Sequence, residues 1–129
     1  MAGYKDLVEQ DVVDMLIGVT PTSGITYSNT YLLGFYLSDP TDSTTGAEVT
    51  GGSYARQSIT VSRSGNTLVN TNTITFPEAT ADWGTIVAFA LIDSVSGEQV
   101  MYGPLTPSKA VVTGETLTIK PGQFIQTVD

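Results

Sequence analysis

The run from Thr85 to Asp93, TIVAFALID, is apolar at both odd and even positions. Side chains alternate across a strand, so a strand with this sequence must be covered on both faces. A buried helical turn is the competing reading. Gly84 and the turn Ser94-Val95-Ser96-Gly97 bound the run at strand length and decide against it. Around this central strand the chain offers shorter runs. Gln99 to Tyr102 reads as a returning hairpin strand. Pro104 and Pro107, flanking Leu105, mark a crossing loop. Lys109 to Val112 and Thr116 to Lys120 read as strands around a turn at Thr113-Gly114, and Gln123 to Val128 as a last strand. Thr67 to Phe76 is a strand interrupted at Asn70-Thr71-Asn72 and ended by Pro77, which donates no ladder hydrogen bond. Short strands at this spacing predict a mainly β chain: an antiparallel β-sandwich or jelly-roll-like domain.

Before the central strand lies a strand, long loop and strand from Tyr31 to Ser62. Tyr31, Leu33, Phe35 and Leu37 share one parity and are expected to face the core. After the loop, Ala55, Gln57, Ile59 and Val61 point one way, while Tyr54, Arg56, Ser58 and Thr60 form a polar face. The intervening residues 39–52 contain Asp39-Pro40, Asp42, Gly46, Glu48 and Gly51-Gly52. A loop of that length in a compact domain is usually functional or an interaction surface. Arg63-Ser64-Gly65-Asn66 then forms a turn, with Gly and Asn expected at positive φ.

Residues 4–17 form the predicted helix, ahead of a β-sandwich over 25–129, in a single domain spanning 1–129. Leu7, Val8, Val12, Met15, Leu16 and Val19 follow helical spacing and mark the core-facing stripe. Gly18 and Pro21 end the helix. Val13 and Ile17 fall off that stripe, so two faces of the helix are candidates for burial, one on its own sheet and one on another subunit.

Several function classes are removed by composition. The 129 residues carry a net charge of -8, with 5 Lys and Arg scattered along the chain. A nucleic-acid interface needs them clustered, so no nucleic-acid partner is expected. The chain has no Cys and no His. That excludes thiol catalysis, a Ser-His-Asp triad and zinc sites built on those ligands. The start MAGYKDLVEQ lacks the apolar core of a signal peptide, and no apolar run reaches bilayer-spanning length; no membrane partner is expected.

The remaining constellations have competing explanations. Asp39, Asp42 and Glu48 could offer oxygens to Ca²⁺, but they match no EF-hand register, and a solvated turn in which Asp39 caps its own backbone before Pro40 is the preferred explanation. No carboxylate pair stands out as a glycosidase dyad. Arg56 is expected to pair with Glu48 and hold the long loop, with Tyr54 beside the pair and Gly51-Gly52 turning the chain. Trp83 with Phe76 and Phe89 could stack on a sugar, although an aromatic cluster in an apolar stretch more often belongs to a core.

The run LSDPTDSTTGAEVTGGSYARQSITV resembles a signature of small tailed-phage virion proteins labelled tail fibre or minor tail proteins. The resemblance continues at Phe76-Pro77, at Thr80-Ala81-Asp82-Trp83-Gly84, at Tyr102-Gly103-Pro104-Leu105 and at Val112-Thr113-Gly114-Glu115-Thr116-Leu117. Glu115 stands where Asp is common. The resemblance implies a virion structural protein, not an enzyme, with no catalytic residues and no cofactor. It implies assembly with itself, a trimer being the expected form, and with other phage virion proteins. A tail position is preferred; capsid decoration and a glycan-binding adhesin, with a host-surface glycan as ligand, are the alternatives. Glu48, Gly51, Gly52, Tyr54, Arg56, Trp83, Val13 and Ile17 are the structural or interface candidates.

Overall fold

The computed structural model describes residues 3–21 and 23–127. Its elements are β1 (Gly3–Tyr4), α1 (Asp6–Leu16), β2 (Thr30–Tyr36), β3 (Gln57–Ser64), β4 (Thr67–Asn70), β5 (Ile74–Thr75), β6 (Gly84–Ile92), β7 (Gln99–Val111), β8 (Thr118–Ile119) and β9 (Ile125–Thr127). Seven strands form one antiparallel sheet in the order β1-β7-β6-β2-β3-β4-β9, and β5 pairs with β8 in a small second ladder. The result is a curled, mainly β architecture with layers of unequal size. No helix among the described residues is long and apolar enough to cross a membrane.

β6 lies between β2 and β7, and its two faces meet different cover. On one side Phe89 and Leu91 join Leu33, Phe35, Ile59, Ile74, Phe76 and Trp83 in the main core, under the β5–β8 ladder. On the other, Ala88, Ala90 and Ile92 pack with Tyr36 in a second, smaller cluster. Gly34 and the two alanines keep this second face thin, so a loop can lie close upon it. A register break between Ile86 and Ala88 puts Ile86 on the same side as Phe89, as expected of a strand that carries a bulge.

Several elements differ from the sequence reading. β3 starts at Gln57, so Tyr54 and Arg56 precede the strand. Leu37 is exposed, because β2 ends at Tyr36 and the chain turns away. Pro104 and Pro107 make no crossing loop. β7 runs unbroken through them, with a cis Thr106-Pro107 bond, and the register skip against β6 absorbs residues 105–108. Thr118–Ile119 pairs with β5 instead of returning on β7. Gly65 takes positive φ in the β3–β4 turn and Asn66 does not. In the last strand, Val128 lies outside the described residues.

The helix departs most. Val8 and Asp11 are its buried residues. Val12, Met15 and Leu16 of the expected core stripe are exposed, Leu16 to 80%. The helix is held by its first half. Lys5 N–H donates to Val100 O, and Asp6 N–H to Asp42 O. Asp11 accepts hydrogen bonds from the Ser23 and Tyr27 hydroxyls. These bonds fix the rotation of the helix in place of the apolar stripe.

Candidate functional site: a braced loop and a projecting helix

The loop between β2 and β3 folds back as a cover on the second face of the sheet. Its return leg pairs with the end of β2: Leu37 N–H donates to Ala47 O (2.7 Å) and Val49 N–H to Phe35 O (3.1 Å). Ala47 N–H also donates to Ser38 Oγ (2.8 Å). Val49 is thereby buried, and Glu48, next to it, comes over Gly34. A Cβ at Gly34 would lie 2.9 Å from Glu48 Oε2, so glycine is what lets the carboxylate come this close.

Glu48 is the hub. Arg56 forks onto it, Nε to Oε2 at 2.9 Å and Nη2 to Oε1 at 2.8 Å. Tyr54 O–H donates to Oε2 at 2.7 Å. The same phenol oxygen accepts the Phe35 N–H at 2.9 Å, linking the loop to β2. Burial pushes the Glu48 carboxyl up, but the hydrogen bonds from Arg56 and Tyr54 and the guanidinium charge outweigh it and hold the pKa below the usual value. Burial, followed by the adjacent carboxylate, raises the Tyr54 phenol, and the bonds to Glu48 raise Arg56. The Tyr54 ring packs into the main core, edge-on to Trp83 at 5.3 Å, instead of lying on a polar strand face.

The turn into this hub needs three consecutive left-handed residues, Gly51 (φ 75°), Gly52 (φ 59°) and Ser53 (φ 66°). Gly52 also touches other chain segments. Its carbonyl accepts from Trp83 Nε1 (2.8 Å) and Thr80 N–H (3.0 Å), and a Cβ there would meet Ala81 O and the Trp83 ring at 2.9 Å. Around Gly51 there is open space. Trp83 is 3% exposed. It therefore offers no face to a sugar, and the Phe89 ring, in the same core, packs edge-on against Phe124.

The far end of the loop is held by residues the sequence did not single out. Lys5 is buried and its ammonium donates to the carbonyls of Thr41 and Thr44. Desolvation lowers its pKa, against the opposing pull of Asp42, Asp6 and Glu98. Gln99 Nε2 donates to Thr45 O (2.9 Å), and the Tyr102 hydroxyl to Asp42. An ammonium thus serves the loop carbonyls. Asp39, Asp42 and Glu48 are not drawn into one ligand set. The carboxylates that gather among the described residues are Asp6, Glu9 and Asp42, all at least partly exposed.

The second feature is the projecting half of α1. Val12, Val13, Met15, Leu16, Ile17 and Val19 are between 43% and 80% exposed. Val13 and Ile17 are thus joined in exposure by most of the stripe assigned to the core. Val12 and Met15 also line an apolar groove of about 410 Å³, whose other walls include Val8, Tyr27, Leu68 and Met101.

A family model described as podophage GP4 fiber I protein gp80 matches residues 3–127. The comparison with curated proteins found no match.

Proposed function

The chain belongs to the family of the podophage GP4 fiber I protein gp80, and from that membership we propose that it is a non-enzymatic, single-domain building block of the tail fibre that self-associates, as a trimer, and docks on other virion proteins. The tail-associated structural role and the virion location come with the family; the assembly state and the lack of catalysis are our reading. The observation that carries self-association is the projecting apolar half of α1, since monomers rarely leave such a patch uncovered. Closed symmetric assemblies are also the usual form of soluble oligomers. The charged side chains that hold the loop support a structural role: Lys5 donates to two loop carbonyls, and Arg56 is forked onto Glu48. A glycan-binding alternative loses its main stacking candidate with the burial of Trp83.

Light scattering on the purified chain at micromolar concentration tests assembly, with a trimer mass expected and a clean monomer counting against it. Antibody labelling of intact particles tests position. Label at the tail is expected; label confined to the head would overturn the tail assignment and favour capsid decoration.

A further inference from the structure

We propose that the projecting half of α1 is the docking element between copies of this chain, and that it seats in the apolar groove beside α1 of the neighbouring copy. This rests on the self-assembly reading above and specifies its contact.

The helix is amphipathic over its first half and apolar around most of its circumference over its second. At 100° per residue, Met15, Val12, Leu16, Val13 and the C-cap Ile17 sweep a continuous arc, Val19 follows beyond the turn at Gly18, and Asp14 is the charged residue left in that half. The first half is fastened by Val8, Asp11 and the Lys5–Asp6 backbone bonds, so the second half is presented on a fixed stem. Isolated helices of this length are marginal in water, and a bare apolar end would gain from cover.

The size of the surface favours a second copy. Six large side chains, each at least two-fifths exposed, reach the upper end of the roughly 300–600 Å² found for the largest apolar patch on monomers. The groove shares Val12 and Met15 with this patch, and its further exposed or half-buried walls, Tyr4, Tyr27 and Leu68, extend it toward the about 800 Å² that each partner gives to a stable interface. The two halves of such an interface, a convex knob of Val13, Leu16 and Ile17 and a concave apolar groove edged by Val12 and Met15, lie side by side on the same chain. That is the self-complementarity a symmetric assembly requires. Charge agrees with this choice. The centre of the patch carries no ionisable group, as interface cores prefer, so two chains of net charge -8 can meet there without burying like charges. An anionic membrane would repel the same chain.

The absence of cysteine makes the contact directly testable. Leu16→Cys marks the knob and Leu68→Cys the groove, and mixing the two purified single variants under oxidising conditions reports contacts between copies only. A mixed Leu16–Leu68 disulfide is expected, together with at least tenfold weaker self-association for Leu16→Glu, whose circular dichroism spectrum should match the wild type's, with a melting temperature that no longer depends on protein concentration. If the wild type assembles but Leu16→Glu assembles equally and no mixed disulfide forms, this contact is overturned while self-assembly stands. Disulfide formation by Leu16→Cys alone, without the mixed product, would overturn the groove as receptor. A monomeric wild type overturns both readings, and Leu16-dependent capture of a different virion protein by that monomer would identify the true occupant.

Discussion

Arg56 grips both oxygens of Glu48, with Nε at 2.9 Å from Oε2 and Nη2 at 2.8 Å from Oε1, and Tyr54 supplies a third donor to Oε2. The Arg56 side chain is 36% exposed and that of Glu48 21%, so solvent screens the pair in part. Arg56→Ala is expected to cost about 1–2 kcal/mol, between the values typical of exposed and buried pairs. A double-mutant cycle with Glu48→Ala, read by denaturant melts, should return a coupling near 1 kcal/mol. Additivity within about 0.5 kcal/mol would mean that the fork contributes nothing. Tyr54→Phe should cost about 1–3 kcal/mol, because it also leaves the Phe35 N–H without its acceptor.

Acid should loosen the same hub. The folded-state pKa of Glu48 lies below its ordinary value of 4.5. Its contribution is therefore complete above the unfolded pKa and is lost as pH falls through the folded one. The stability difference between wild type and Glu48→Gln should be constant above about pH 5 and shrink steadily below pH 4.5. A difference that stays flat down to pH 3 would contradict the assignment.

The two glycines of the turn should respond differently to alanine. Gly51→Ala meets open space and pays only for the left-handed backbone, about 1 kcal/mol. Gly52→Ala adds a clash with the Ala81 carbonyl and the Trp83 ring and should cost at least about 2 kcal/mol. Equal losses in thermal melts would show that φ alone sets the requirement.

Gly34→Ala crowds Glu48 Oε2, Ile92 Cδ1 and the Tyr54 hydroxyl. Overpacking of this kind costs about 1–3 kcal/mol. Part of the loss should disappear in a Glu48→Ala background, where the nearest atom is gone. An undiminished loss would place the clash elsewhere.

Lys5→Met removes the donor for the Thr41 and Thr44 carbonyls. Hydrogen exchange should accelerate at Leu37 and Val49, whose amides pair across the base of the loop, while amides of β6 keep their protection. Unchanged exchange at the loop base would show that the ammonium does not hold it.

Much of this molecule was set locally. TIVAFALID had to become an inner strand, because its two apolar parities leave no face for water. The Gly65 and Gly114 turns, the break at Asn70-Thr71-Asn72 and the partnership of Glu48 with Arg56 likewise follow from nearby residue types. The tertiary structure alone decided what covers each face. It gave the second face of β6 to the 39–56 loop, because Gly34, Ala88 and Ala90 leave it shallow. It carried β7 through two prolines, a place where their missing amide donors predict a loop, by letting residues 105–108 bulge from the ladder. It also left the stripe of α1 in solvent. Periodicity reports that a helix has an apolar face but not what meets it. Here Asp11, tied to Ser23 and Tyr27, fixes the rotation of the helix, and those bonds span a loop whose path no local pattern encodes.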